Sequence, residues 1–236
     1  MNHEKLSMRL ESVANYIPKN SILADIGSDH AYLPCYAILK GLASKAIAGE
    51  VAEGPFQSAR QQVKQTELEQ LVEVRKGDGL EVLSPNEATC ITIAGMGGSL
   101  ISNILESGKE KLDGVKRLIL QPNVGASNIR YWLIENGWEL IDEEILEEDE
   151  KIYEILIAEK GDPLRAYRSD RDSGIFLGPF LKENRNGTFL KKWSLEKAHW
   201  KKILKQLEEK GQSPEIAQKR RELEKKIKMV EEAIKE

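Results

Sequence analysis

Cysteine is scarce in this chain: its 236 residues contain only Cys35 and Cys90, which share no paired spacing. A disulfide framework and a cysteine-built zinc site are therefore not expected, and a reducing, cytoplasmic setting without bound metal is. Long apolar runs are missing as well. No stretch nears the ~20 apolar residues that a bilayer span requires, and residues 1–19 are too polar and too broken by charge for a secretion signal, so no membrane partner is expected. A G-x-G-x-x-G loop, which presents bare backbone and a helix N-terminus to a pyrophosphate, is also absent. Its absence argues against a hydride-transfer enzyme built on a dinucleotide. The length still allows a substantial core, as one large domain or as a domain with an appendage.

The net charge of −4 conceals a division. Residues 1–159 carry 15 Lys and Arg against 26 Asp and Glu, whereas residues 160–236 carry 20 against 13. An acidic front part with a basic tail suggests that the tail, rather than the whole surface, meets a polyanion; the alternative is a solvated helical hairpin with surplus lysine.

Apolar strand-like runs alternate with helical patterns from residue 21 onward. Strands are expected at 22–26, 46–49, 72–75, 90–94 and 117–120, with helices near 32–41, 55–66, 97–106 and 125–136. Such alternation with near-continuous apolar strands means a parallel sheet covered on both faces. After Gly137 come two strands, 138–145 and 152–158, joined by the acidic turn Glu147-Glu148-Asp149-Glu150, a pattern that reads as a hairpin. The fold class is thus α/β: a mostly parallel, Rossmann-like sheet with a terminal antiparallel hairpin, as in class I methyltransferases. Dehydrogenases seldom end that way.

Gly161-Asp162-Pro163 breaks the alternation. Beyond it, Phe189, Trp193, Trp200, Ile203, Leu204 and Leu207 form one apolar helical stripe, and Ile216, Leu223, Ile227, Val230 and Ile234 form another near a heptad step. Between the stripes, Gly211 is placed to stop one helix, Ser213 to cap the next and Pro214 to enter its first turn. Residues 1–160 are expected to form a cofactor-binding catalytic domain, and residues 161–236 an antiparallel α-helical coiled-coil hairpin. Its tryptophans are read as hydrophobic core in preference to base-stacking contacts.

Within the front part, Ile22-Leu23-Ala24 runs into Asp25-Ile26-Gly27-Ser28-Asp29-His30-Ala31, and Gly49-Glu50 closes the next apolar run. Glycine directly after a strand lets the backbone turn sharply and approach a ligand. An acid ending the second strand stands where a ribose diol can donate two hydrogen bonds to it. A first loop carrying Asp25, Ser28 and Asp29 repels a pyrophosphate and suits a cationic, amine-bearing ligand. S-adenosylmethionine, with its sulfonium, α-amino group, ribose and adenine, is such a ligand.

Three further loops follow strands. In Lys76-Gly77-Asp78-Gly79-Leu80, Asp78 can accept from an adenine amino group, although Gly-Asp-Gly is also a common turn. Ala94-Gly95-Met96-Gly97-Gly98 lets backbone approach both cofactor and target, with Met96 as packing. That loop lacks the (Asn/Asp/Ser)-Pro-Pro-(Tyr/Phe) segment with which enzymes methylating an exocyclic amine orient the NH2 group. A ring nitrogen such as N1 of adenine already carries an in-plane lone pair, and it needs positioning and desolvation more than deprotonation. The amides of Leu120-Gln121-Pro122-Asn123 can hold a base edge, or the segment can serve as a proline-locked turn that caps the next helix.

Together, Leu6-Ser7-Met8-Arg9-Leu10, the run Ala24 to Pro34, Gly49-Glu50-Val51 with Glu53-Gly54-Pro55, Gly77-Asp78-Gly79-Leu80, Gly95-Met96-Gly97-Gly98 and Leu120-Gln121-Pro122-Asn123 resemble the bacterial tRNA (adenine-22 N1)-methyltransferase family. The resemblance covers residues 5 to about 160 closely and the tail in kind. It implies a cytoplasmic, monomeric or weakly associating enzyme that transfers methyl from S-adenosylmethionine to N1 of an adenosine in the D-arm region of tRNA. Carried onto this chain, it implies that Asp25, Gly27 and Ser28 lie under the methionine moiety, with His30 nearby. Glu50 with Val51 would meet the ribose, Asp78 with Gly79 the adenine end, and Ala94, Gly95 and Met96 the methyl group.

Asp29 and Asn123 are the expected catalytic residues. Asp29 is suited to stabilise the positive charge that the product base acquires, once that base has been exposed or flipped. Arg9, Tyr32, Gln121 and Pro122 are expected on the substrate side, with the cofactor carboxylate as an alternative contact for Arg9. Lys191, Lys192, Arg220 and Arg221 are expected on tRNA phosphates, which position without reading sequence. Two other readings stay open: a methyltransferase of a small molecule or protein using the same cofactor, and a non-catalytic RNA-binding or interaction module.

Overall fold

The computed structural model describes residues 2–209 and 213–235. Seven strands, β1 (Ser21–Ile26), β2 (Ala43–Glu50), β3 (Val72–Lys76), β4 (Cys90–Gly97), β5 (Arg117–Val124), β6 (Trp138–Glu148) and β7 (Lys151–Lys160), form one sheet in the order β3-β2-β1-β4-β5-β7-β6. The first five are parallel, and β7 is antiparallel to both β5 and β6. This is the doubly wound sheet with a terminal hairpin that the pattern predicts. The helices are α1 (Met8–Asn15), α2 (Tyr32–Leu39), α3 (Glu53–Gln65), α4 (Gly98–Ser107), α5 (Ala126–Glu135), α6 (Arg171–Leu177), α7 (Pro179–Asn184), α8 (Gly187–Glu209) and α9 (Pro214–Ile234). No helix among the described residues is long and apolar enough to cross a membrane.

Alternation of side chains across the pleat explains why the central strands are apolar throughout. Leu118 and Leu120 of β5 join Ile91, Ile93, Ile129 and Leu133 on one face, while Ile119 joins Leu23, Cys90 and Ile157 on the other. Each such side chain contributes about 1.5–3 kcal/mol by burial, so both faces need helices. The hairpin is longer than the sequence suggests: β6 runs to Glu148, and only Asp149 and Glu150 form the turn, both in the left-handed region (φ 48° and 62°). Two consecutive left-handed residues match the right-handed twist of paired strands, and this lets Glu147 and Glu148 stay in the ladder. Helix α1 buries Val13 and Ala14. It starts where Ser7 caps it, the hydroxyl accepting from the Leu10 amide at 3.3 Å.

In the tail, Ser213 caps α9 by accepting from the Ile216 amide at 3.3 Å, with Pro214 in the first turn. Gly211, the expected stop of α8, lies outside the described residues. Lys201 pairs with Glu231 and Arg220 with Glu208, so α8 and α9 run antiparallel. Residues between the sheet and α8 dock back on it. Tyr167 and Ile175 share the core of the sheet, and Leu177, Leu181, Phe189, Trp193 and Val230 form a third apolar cluster against Ile145 of β6.

A buried ionic cluster fastens these parts. Arg130 of α5, fully enclosed, donates from Nε to Glu143 of β6 at 2.7 Å and from Nη2 to Glu154 of β7 at 2.5 Å. Lys192 of α8 donates to the other oxygen of Glu154. Burial, reinforced by the charge of Glu154 against the pull of Arg130, pushes the Glu143 carboxyl up to about 7. Although burial opposes it, Arg130 and Lys192 hold Glu154 below the usual carboxylate range. An unfolded Glu releases its proton at lower pH than Glu143 does here. Between the two values the folded state therefore holds more protons, and stability falls as pH rises. Thermal melts from about pH 5 to about pH 8 are expected to show wild type losing ground to Glu143→Gln as pH increases. A parallel pair of curves would refute this.

Candidate functional site

Strand order reverses between β1 and β4, and in sheets of this kind the crevice outside the carboxyl ends at that switch is where ligands bind. The first loop leaves β1 through Gly27, whose φ of +71° lies in the left-handed region. Its amide and that of Ser28 both donate to Gly49 O, at 2.9 and 3.2 Å. A Cβ on Gly27 would push aside the end of the Met96 side chain of the fourth loop and would sit on a left-handed backbone, so glycine eases both the turn and the close approach. Asp29 and Ala31 are also left-handed, at φ 55° and 52°, and the Asp29 amide donates to Glu50 Oε1 at the end of β2.

Asp25 anchors this loop from beneath. Its Oδ2 accepts from Ser28 Oγ and its Oδ1 from Thr92 Oγ1, each at 2.6 Å. Burial raises its carboxyl above the ordinary range against the pull of those two hydroxyls. With both oxygens engaged inside the protein, Asp25 shapes the loop. Glu50 is 6% exposed. Burial raises it too, helped by the charges of Asp29 and Asp25 and opposed by the Asp29 amide. Val51, beside it, is an exposed apolar side chain.

A cavity of about 310 Å³ opens above these loops. Gly27, Ser28 and Asp29 of the first loop and Ala94, Gly95 and Met96 of the fourth line it, with Arg9 of α1 and Tyr32 of α2 at its sides. Ring stacking sets the mouth: His30 lies outside this lining, stacked on Tyr32 at 5.1 Å, with Nδ1 3.0 Å from Asp29 Oδ1. Asp78 and Gly79 line a separate, neighbouring hollow of about 200 Å³ with the exposed Leu100 of α4. A larger cavity, about 720 Å³, lies at β6 beneath α6 and α7 and contains none of the expected site residues.

The fifth loop grips the fourth. Gln121 is fully buried, and its Oε1 accepts both from Gly95 N at 2.9 Å and from Arg9 Nη1. Asn123, exposed at the end of β5, donates from Nδ2 to Gly95 O at 2.7 Å. The Gly95 residue is therefore held through both its N–H and its C=O. Arg9 in turn stands 5.2 Å over the Tyr153 ring. Gln121 and Pro122, expected on the substrate side, are instead enclosed, because a buried amide must spend its hydrogen bonds on the nearest backbone.

The four basic tail residues differ in availability. Lys192 donates to Glu154 in the buried cluster, which makes it the least available of the four to a phosphate. Lys191 pairs with Glu147 at 2.6 Å and Arg220 with Glu208 at 3.5 Å. Both are surface pairs worth about 0–1 kcal/mol, which a phosphate can displace. Arg221 is exposed on α9. Two contributors escaped the sequence reading. Thr92 is detectable as the polar break in the apolar run 90–94, whereas Tyr153 reaches Arg9 only through the register of the hairpin.

The model of the tRNA (adenine(22)-N(1))-methyltransferase family matches residues 23–232. A curated tRNA (adenine(22)-N(1))-methyltransferase of Bacillus subtilis (strain 168) is 52% identical over 235 residues, covering 99% of each chain. The crystal structure of the B. subtilis m1A22 tRNA methyltransferase TrmK superposes with a TM-score of 0.96 at 51% identity, over 98% of this chain and all of that one. A Streptococcus pneumoniae protein crystallised in complex with S-adenosyl-L-methionine has a TM-score of 0.87 at 39% identity, over 98% of this chain and all of the other.

Proposed function

The chain belongs to the tRNA (adenine(22)-N(1))-methyltransferase family, and from that premise we infer that it methylates N1 of adenine 22 in tRNA with S-adenosylmethionine as donor, in the cavity at the β1/β4 switch. The observation that carries the reading is the meeting of two bare-backbone loops, Gly27 and Gly95, beside a buried acid, Glu50. The donor set fits the cofactor. Glu50 Oε1 holds the Asp29 amide, and Oε2 is engaged by no described residue, which leaves an acceptor for a ribose diol. Val51 and Leu100 offer apolar faces for a purine near Asp78, and Gly27 with Ser28 would hold the methionine portion.

Bound S-adenosylmethionine supplies a methyl group already activated by its positive sulfur. The protein's share is therefore positioning, exclusion of water and charge. Gln121 and Asn123 fix the Gly95 peptide as the wall of the cavity, so that an entering base meets a rigid stop. N1 of adenine needs no base to deprotonate it, and the carboxylate of Asp29, exposed at the cavity edge, offsets the positive charge that the methylated ring acquires. Tyr32 and Arg9 flank the entrance. Residues 1–160 act as the catalytic domain and residues 161–236 as the helical part that meets the tRNA backbone through Arg221, displaceable Lys191 and Arg220, and exposed lysines such as Lys202 and Lys205. Two buried, unpaired cysteines suit a reducing compartment, and we place the enzyme in the cytoplasm as a monomer or weak dimer.

Glu50→Gln keeps an acceptor for the Asp29 amide but loses the charge offered to the ribose. It is expected to weaken S-adenosylmethionine binding by about 10- to 100-fold in calorimetry, with the melting temperature of the free protein nearly unchanged. Unaltered affinity would remove Glu50 from the cofactor site. The function itself is tested by incubating the protein with labelled S-adenosylmethionine and unmodified tRNA, then identifying nucleosides by mass spectrometry. 1-Methyladenosine at position 22 is expected. Cofactor binding with no label in tRNA would overturn the assignment.

A further inference from the structure

Beside the fifth loop, where the tail meets the sheet, lies an open groove of about 420 Å³ whose two walls differ in chemistry. One wall is the backbone and small side chains of Asn123 to Ser127. The other is aromatic. Phe176 of α6 and Trp193 and Trp200 of α8 stand with ring centroids 5.2, 5.9 and 6.3 Å apart. A closed apolar core would bury all three rings and satisfy their donors. Instead Phe176 and Trp200 are half-buried, and Trp193, only 4% exposed, has an Nε1 without a hydrogen-bond partner among the described residues. Of the two tryptophans expected to be core, Trp193 is core by burial but keeps an unused donor; Trp200 is not closed in.

The groove adjoins the catalytic cavity. Asn123 forms part of its wall and is hydrogen-bonded to Gly95, which lines the cofactor cavity. Val124, 73% exposed, continues the apolar surface outward from that junction. Arg130 and Lys192 on the lining are both spent on Glu154, which leaves Glu150 and Glu196 to accept from amino groups and repel anions, so the charges fit a base edge better than a phosphate. For the phosphate, Lys226 stands outside on α9, 5.8 Å from the Phe176 ring centroid.

We propose that this groove is a nucleobase site: it receives an unpaired base adjacent in the tRNA chain to the target adenine, stacked on Trp200 with its edge accepting from Trp193 Nε1. The proposal rests on the tRNA reading and deepens it. Pulling one base out of a stack strips its neighbour of a stacking partner as well. A protein that offers an aromatic face to that neighbour recovers part of the cost, and does so for any base, since each has a π-face. Such a site selects an opened local structure rather than a sequence.

The test uses full-length protein with Trp200→Leu, Trp200→Phe and Trp193→Phe, measuring KM and kcat on unmodified tRNA, tRNA Kd and cofactor Kd. Trp200→Leu keeps apolar bulk but no stacking face, and tRNA Kd is expected to rise about tenfold with cofactor Kd unchanged. Trp200→Phe, which retains a ring, recovers most of that loss. Trp193→Phe deletes only the donor and raises KM for tRNA severalfold; if Trp200→Leu fails to fold, this variant decides the matter. Wild-type tRNA affinity in both Trp200→Leu and Trp193→Phe, or equal losses in the leucine and phenylalanine variants at 200, would overturn the proposal. A wild-type protein that methylates no tRNA would instead overturn the function it rests on.

Discussion

Gly98→Ala is expected to lower kcat for tRNA methylation by about 100-fold while leaving most of the protein folded. A Cβ at this position would lie 2.7 Å from the carbonyl carbon of Gly125 and closer still to its oxygen. Backbone cannot rotate aside as a side chain can, so the fourth and fifth loops must separate. Those loops are the ones joined by Asn123 to Gly95 and by Gln121 to Gly95. Parting them moves the cavity wall by a fraction of an ångström to an ångström, a scale at which positioned chemistry fails. Gly97→Ala is the control, because a Cβ there meets nothing within 4 Å and the residue is not left-handed. Steady-state kinetics with both variants and calorimetric cofactor binding separate the outcomes. Equal activity of the two alanine variants would show that loop contact does not set the rate.

Arg130→Met is expected to cost about 3–5 kcal/mol of folding stability, read by urea unfolding. Methionine fills much of the volume, so the loss is electrostatic: Glu143 is left with the Phe180 amide at 3.1 Å, and Glu154 with Lys192 alone. The double variant Arg130→Met, Glu143→Gln removes the stranded charge and is expected to recover a substantial part of the loss. A single variant as stable as wild type would mean that both carboxyls simply take up protons when the arginine goes. The cluster joins α5, β6, β7 and α8, so its failure is also expected to loosen the tail, detectable as faster hydrogen exchange in α8.

What could be read from the sequence was what periodicity and single-residue chemistry determine. Near-continuous apolar runs located the parallel strands, and Gly27 with Glu50 marked two neighbouring strand ends, because a turn after a strand and an acid at a strand end are local features. The hairpin turn was misjudged because Asp149 and Glu150 adopt a conformation usually left to glycine or asparagine. Gln121 was placed on the substrate because its burial depends on α1 and the fourth loop, elements far from it in sequence. The pairing of Lys192 with Glu154 was invisible for the same reason: a helix and a strand 38 residues apart come together only through the third apolar cluster.

Strand β6 is one rim of the sheet, as β3 is the other, and among the described residues it is paired on one side only, by β7. An uncovered rim is a template on which another chain can add a strand. Here α7 and α8 pack against it, and Asn186 Nδ2 donates to the Ile145 carbonyl at 3.3 Å. During synthesis the sheet is complete in sequence once Lys160 has been added, whereas its cover is encoded in the residues that follow. At ~5–20 residues per second the ribosome needs roughly 2 to 10 s to reach Glu209, where α8 ends. For that interval the nascent chain carries an adhesive border, and the helical tail is first of all the part that ends this exposure.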